Sequence, residues 1–202
     1  NGRYDGTYML GDKLKIGDNR VNVGNDGFLL EVDERAEMEG DVRFRTKRLA
    51  QPINIKGPDV IEGDDNYKYI SNYINMAEDV LFSDNFMDEN EGWRKYKDMS
   101  SFVDWYIIHE IAKCGDPLSF YTSCYMNLKR DGRIKMGPIW DFDLTMGNSN
   151  NPDVWPSEGF LRILSGSVWY ERLFEDPVFV KAVKERYHFF YNISWRFHLY
   201  LH

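Results

Sequence analysis

The sequence predicts an α+β chain with its strands gathered in the first 58 residues and its helices in the remainder. Three observations carry this. Short strand-like runs bounded by Gly, Asn and Asp fill the opening third, apolar residues recur at helical spacing from Asn66 onward, and one pair of strand-like runs interrupts the helical part between residues 123 and 139. We therefore expect a single domain made of a β-rich part, residues 1–58, and a mainly helical part, residues 59–202, with an inserted β-hairpin.

Residues 4–10 (YDGTYML) alternate and turn at Asp5-Gly6, and residues 27–32 (GFLLEV) follow an Asn-Asp-Gly turn signal. Residues 42–46 (VRFRT) and 52–55 (PINI) continue the pattern until Gly57-Pro58 closes it. Ile70, Tyr73, Ile74, Ala77 and Leu81 then fall on one face of a helix of about four turns at ~3.6 residues each. After an acidic loop, Ser101 and Asp104 have capping-box spacing and open a helix through Val103, Tyr106, Ile107 and Ile111, with Gly115 as its stop. Residues 123–128 and 133–139 read as strands joined by Arg130-Asp131-Gly132. Asp176-Pro177 starts a last helix with Phe179, Val180, Val183 and Tyr187 inward.

Composition narrows the function classes. Apolar residues at 43% and charged ones at 29% describe a folded globular chain, not a disordered one. A net charge of −8 argues against a large nucleic-acid footprint, which needs clustered Lys and Arg, and favours a basic partner or a bound cation. No apolar run approaches the ~20 residues of a membrane-spanning helix. Cys114 and Cys124 lack the partners of a structural zinc site; they are either a disulfide or two buried free thiols, the second being the simpler reading.

The segment richest in chemistry is 137–148, GPIWDFDLTMGN, which directly follows the second strand of the hairpin. Asp141 and Asp143 are two apart, so an extended backbone would send both carboxylates to one side and Phe142 to the other. Two carboxylates that close repel unless a cation lies between them, and Mg²⁺ or Mn²⁺, with their preference for oxygen, would suit. Trp140 and Phe142 would wall off water, Gly147 permits a tight backbone and Asn148 offers a further oxygen. Equally, Asp141 could cap a turn with Asp143 solvated; D-x-D alone does not decide. Asp116, in a loop after the second helix, reads as a general base or second metal ligand, or as a turn-initiating Asp before proline. His198 and His202, four apart at the end of the chain, could share a helix face as metal ligands, but a frayed terminal turn is the simpler reading; His109, mid-helix beside Glu110, reads as packed or solvated.

Taken together, these segments resemble the CotH (spore coat protein H) kinase-like family. Residues 1–10 (NGRYDGTYML) are similar to its N-G-x-Y-x-G-x-Y-x-L hairpin, residues 27–31 to its G-x-L-L-E strand, residues 101–110 (SFVDWYIIHE) to its helix ahead of the active site and residues 137–148 to its G-P-x-W-D-x-D-x-x-x-G-N signature. Residues 169–173 (WYERL) with Asp176-Pro177 are similar to its C-terminal helices.

The resemblance implies an atypical protein-kinase-like fold that transfers the γ-phosphoryl group of ATP, with Mg²⁺ or Mn²⁺, to Ser or Thr of a protein. It implies catalytic roles for Asp116 and Asp141, metal binding by Asp141 and Asp143, and a nucleotide-side role for Asn148 and for Asp12, which stands where the family has Glu. The family's segment ahead of the hairpin, with basic residues expected to reach the nucleotide phosphates, precedes the point where this chain begins; Lys13 and Lys15 are the nearest basic residues. The implied partner is a protein, basic and Ser/Thr-rich, and the implied location is extracellular, at a cell surface or spore coat. The alternative is a non-catalytic coat or surface module that keeps the fold.

Overall fold

The computed structural model describes residues 14–35, 40–114, 124–148 and 167–198, together with Gly2, Tyr4, Gly6, Pro152 and Gly159. Asp12 and Asp116, the strand run at 4–10 and the helix stop at Gly115 lie outside the described residues. The described fold is α+β: an antiparallel sheet of five strands against four helices. In chain order these are β1 (Phe28–Val32), β2 (Arg43–Arg45), β3 (Pro52–Gly57), α1 (Asp65–Leu81), α2 (Met99–Ala112), β4 (Cys124–Leu128), β5 (Ile134–Met136), α3 (Val168–Leu173) and α4 (Pro177–His198). A 3₁₀ turn, Trp93–Lys95, precedes α2.

The sheet order is β2-β3-β1-β4-β5. The hairpin β4–β5 is therefore not an isolated pair: β4 lies along β1, with Glu31 opposite Tyr125 and Val32 opposite Cys124. Side chains alternate across a strand, so Phe28, Leu30 and Val32 face the helices with Ile53, Met126, Leu128 and Ile134, and all are buried. Leu29 and Glu31 occupy the opposite face with Asn54, Tyr125 and Asn127. Glu31 is buried and pairs with Lys56 at 3.3 Å, which also reaches Asp41 at 2.5 Å. Gly27 admits the tight entry to β1 because a Cβ there would lie 2.1 Å from the Val23 carbonyl oxygen.

Helix α1 buries Ile70, Ile74, Ala77 and Leu81, the face its spacing predicts, and Asp64 caps it by accepting from the Tyr67 N–H. Its other side holds the hairpin turn. Tyr73 donates its hydroxyl to Gly132 O at 2.6 Å, Tyr69 Oη accepts the Asp131 N–H at 2.9 Å, and Arg130 donates to Asn66 Oδ1 at 2.6 Å.

Helix α2 corrects the expected start. Asp98 is the cap, accepting the Ser101 N–H at 2.9 Å, so the helix begins before Ser101. Ser101 instead donates to Asp98 O and accepts the Met136 N–H, tying α2 to β5. Asp104 is no capping residue either; it forms a two-point pair with Arg186 of α4, at 2.6 and 3.1 Å. Trp105, His109 and Glu110 are buried as well as Phe102, Val103, Tyr106 and Ile107, so α2 is enclosed on most sides, whereas Ile111 is exposed. The helix ends in left-handed Lys113, φ 53°, ahead of Gly115.

At α4, the Asp176-Pro177 signal holds, with Asp176 Oδ1 accepting the Val178 N–H at 2.8 Å. Phe179 is buried, and Val183 and Tyr187 pack against the core. Cys114 and Cys124 are free, buried thiols. Trp93 and Trp169 belong to the core.

Candidate functional site

Segment 137–148 leaves β5 through Gly137, whose φ of 107° only glycine adopts without strain. The Gly137 N–H donates to Tyr125 O at 2.9 Å and its carbonyl accepts from Asn127 Nδ2 at 3.2 Å, so the hairpin's end is fixed. Trp140 then packs edge-on against Tyr125, ring centres 6.2 Å apart. Tyr125 lies opposite Glu31, and this brings the polar face of the sheet up to the residue preceding Asp141.

The backbone is not extended at the two aspartates. Asp141 has φ 60°, in the left-handed region, and a turn begins at Asp143. The alternation argument for placing both carboxylates on one side thus loses its premise. Left-handed backbone is uncommon outside glycine, although Asp is among the residues that tolerate it best. Both aspartates are exposed.

What holds the turn is a short set of hydrogen bonds. Thr145 Oγ1 donates to Phe142 O at 2.8 Å, and Asn148 donates from its backbone to Thr145 O at 2.9 Å and from Nδ2 to Asp143 O at 2.7 Å. Met146, φ 52°, and Gly147, φ 84°, complete the reversal. The Met146 N–H donates to the carbonyl of Ala112, the last residue of α2, at 2.8 Å. That carbonyl is one of those a helix terminus leaves without a partner, so the acidic turn acts as part of the cap of α2.

Phe142, half-buried, meets the ring of His109 at 4.8 Å. His109 stacks on Trp105 at 3.7 Å and donates its Nδ1–H to Trp105 O at 2.8 Å. Burial pushes its pKa down to about 4, the bond to Trp105 opposing it, which keeps the ring neutral at pH 7. His109 is therefore a packing element under the turn, as its mid-helix position suggested. The side chain of His198 is outside the described set, as is His202.

Of the sequence-predicted site residues, Asp141, Asp143 and Asn148 share one turn; Asp12 and Asp116 are not described. One residue that shapes the turn was missed, Thr145, which closes it; His109 was read as packed or solvated, but its place under the turn was not foreseen. Thr145, two residues after Asp143, is a local signal of an Oγ-closed turn, whereas the contact with His109 spans thirty-odd positions and leaves none.

The donor set suits a hard divalent ion. It comprises two exposed carboxylates and an Asn whose Nδ2 is held by Asp143 O, which leaves Oδ1 as its remaining acceptor. Among the described residues no group of three or more His, Cys, Asp or Glu could hold a metal by itself, so this turn would supply part of a coordination shell, as Mg²⁺ sites at phosphates commonly do. No described helix is long and apolar enough to cross a membrane.

No curated protein and no solved structure matches the chain. A family profile described as "CotH kinase protein" matches residues 1–194, which includes the acidic turn and every described element through most of α4. On that match over nearly its whole length, the chain belongs to the CotH kinase family.

Proposed function

We propose that this kinase-like domain is a metal-dependent atypical protein kinase that passes the γ-phosphoryl group of ATP to a Ser or Thr of a protein. The observation that carries the reading is the exposed carboxylate pair in a turn that hangs from β5 and is fixed to the end of α2. The order of parts supports it. A helix, a segment bearing one acid (Asp116), a hairpin and a second acidic turn (Asp141) follow one another, as the catalytic-loop Asp and the metal-binding Asp do in protein kinases.

In this reading Asp141 and Asp143 hold Mg²⁺ or Mn²⁺, with Asn148 Oδ1 on the nucleotide side. Asp116 takes the proton of the acceptor hydroxyl or provides a second metal ligand, and Asp12 orients a basic group toward the nucleotide. When bound, the metal supplies charge neutralisation for the phosphoryl group in flight. The protein's own contribution is positioning, and a turn fixed at Gly137 and at Met146 is suited to it. A net charge of −8 favours a basic, Ser/Thr-rich acceptor. The family name suggests a coat or cell-surface location.

Transfer of labelled γ-phosphate to casein or to a Ser-rich basic peptide tests the reading. Asp141→Ala should lower transfer by on the order of a hundredfold or more. Transfer unaffected by that substitution overturns the mechanism. A second reading, a non-catalytic coat or surface binding module, is favoured by the exposed apolar residues Ile139, Trp140, Leu144 and Met146 around the turn. It predicts no transfer under any metal.

A further inference from the structure

The acidic turn is rimmed by apolar side chains that the core does not use. Ile139 and Trp140 precede Asp141 with 52% and 41% exposure, and Leu144 and Met146 follow Asp143 with 41% and 78%. The rim continues onto α2. The Met146 N–H is bonded to Ala112 O, Ile108 lies one helical turn before Ala112 on the same face, and Ile111 is adjacent; both isoleucines are exposed. Scattered single apolar residues on a surface need no explanation, but four within the eight residues of one turn, bonded to a helix end that exposes two more, form a group suited to an interaction surface.

Met146 is the most informative of them. It stands at φ 52°, where Gly or Asn would be at ease, yet it is an apolar side chain held outward by a backbone bond to α2. Loop packing among the described residues does not account for it, because 78% of the residue's surface is exposed. The rim also encloses two exposed carboxylates, on a chain whose net charge is −8. Its complement is apolar with positive charge at its edge.

We infer that the surface formed by Leu144, Met146, Ile108 and Ile111 docks an apolar side chain of the acceptor protein, next to basic residues that face the acidic turn. This deepens the proposed function, resting on it for the partner being an acceptor. Recognition then requires a Ser or Thr flanked by Arg or Lys and by a Leu-like residue, a narrower class than basic segments in general.

The test uses the full chain and a short fluorescein-labelled peptide with paired Arg, one Ser and a neighbouring Leu, followed by anisotropy. Met146→Asn combined with Leu144→Ser should weaken binding by on the order of tenfold, and so should Leu→Asp in the peptide. Asn tolerates the left-handed position, and circular dichroism confirms that the variant is folded. Equal affinity of the variant and the parent overturns the inference, as does a peptide that binds equally with Asp in place of Leu, or no binding at all. Neutral phosphatidylcholine vesicles provide the contrasting arm: if they are bound through Met146 and Leu144 and the peptide is not, the surface is a lipid contact and the inference fails. Peptide docking without phosphate transfer would leave the docking surface standing and remove the kinase reading, so the two failures are distinguishable.

Discussion

Asp176 and Asp143 are the same residue in opposite circumstances. Asp176 is 1% exposed and its oxygens are occupied: Oδ2 accepts from Trp93 Nε1 at 2.8 Å and from Arg94 at 2.6 Å, while Oδ1 caps α4. Asp143 is exposed, and no described residue donates to its carboxylate. The helical interior around Asp176 spends its polar groups on one another. Nearby Glu78, fully buried, accepts from Trp169 Nε1 at 2.9 Å and from the Leu49 N–H at 3.3 Å. The acidic turn leaves the Asp143 carboxylate in water on a backbone held by hydrogen bonds elsewhere. The contrast separates a carboxylate that builds the fold from one that the described fold does not use.

The widest gap should appear in stability. Asp176→Ala strands the Arg94 guanidinium and removes a cap, and is expected to cost about 3–5 kcal/mol in urea unfolding. Asp143→Ala should change the same measurement by no more than about 0.5 kcal/mol. A large loss for Asp143→Ala would make the turn structural.

His109 sharpens the comparison because it joins the two regions. Its pKa is near 4 in the fold against 6.5 when unfolded, so the unfolded chain takes up the proton first on acidification. The stabilisation is complete above pH 6.5 and is lost as pH falls toward 4, by up to about 3 kcal/mol. His109→Gln should flatten that part of the pH–stability profile.

Lys97 gives the corresponding effect at alkaline pH. Its Nζ is fully buried, 4.1 Å from the Trp169 ring centre, and no described residue accepts a hydrogen bond from it. Burial pushes its pKa down to about 8, with Glu78 opposing. The unfolded chain then holds more protons between pH 8 and 10.5, and stability rises across that window by on the order of 1–3 kcal/mol. The rise should be absent in Lys97→Met. The smallest effect belongs to the surface: Arg186→Gln breaks the half-exposed pair with Asp104 and should cost no more than about 1 kcal/mol.

The strands β1 to β3, α1 and α4 were legible because each carries a local signal: an Asn-Asp-Gly turn, a clean apolar face, an Asp-Pro start. Helix α2 was legible as a helix but not in its orientation, since a nearly enclosed helix shows no one-sided pattern, and Asp98 outcompetes Ser101 for the cap. The partnership of β4 with β1 joins segments about a hundred residues apart and has no local trace. The acidic turn was legible in composition and not in shape. Trp-Asp-Phe-Asp names its two carboxylates, whereas the left-handed turn at Asp141 and its attachment to Ala112 follow from packing that spacing alone does not encode.

The central claim, that the turn holding Asp141 and Asp143 binds a divalent metal at a nucleotide, is tested most directly by Mn²⁺ titration followed by electron paramagnetic resonance, with and without ATP. The account predicts that the chain removes free Mn²⁺ more strongly when ATP is present, and that Asp141→Ala and Asp143→Ala each weaken this by on the order of tenfold or more while the protein stays folded. Mn²⁺ binding that is the same in both variants as in the parent chain would contradict it.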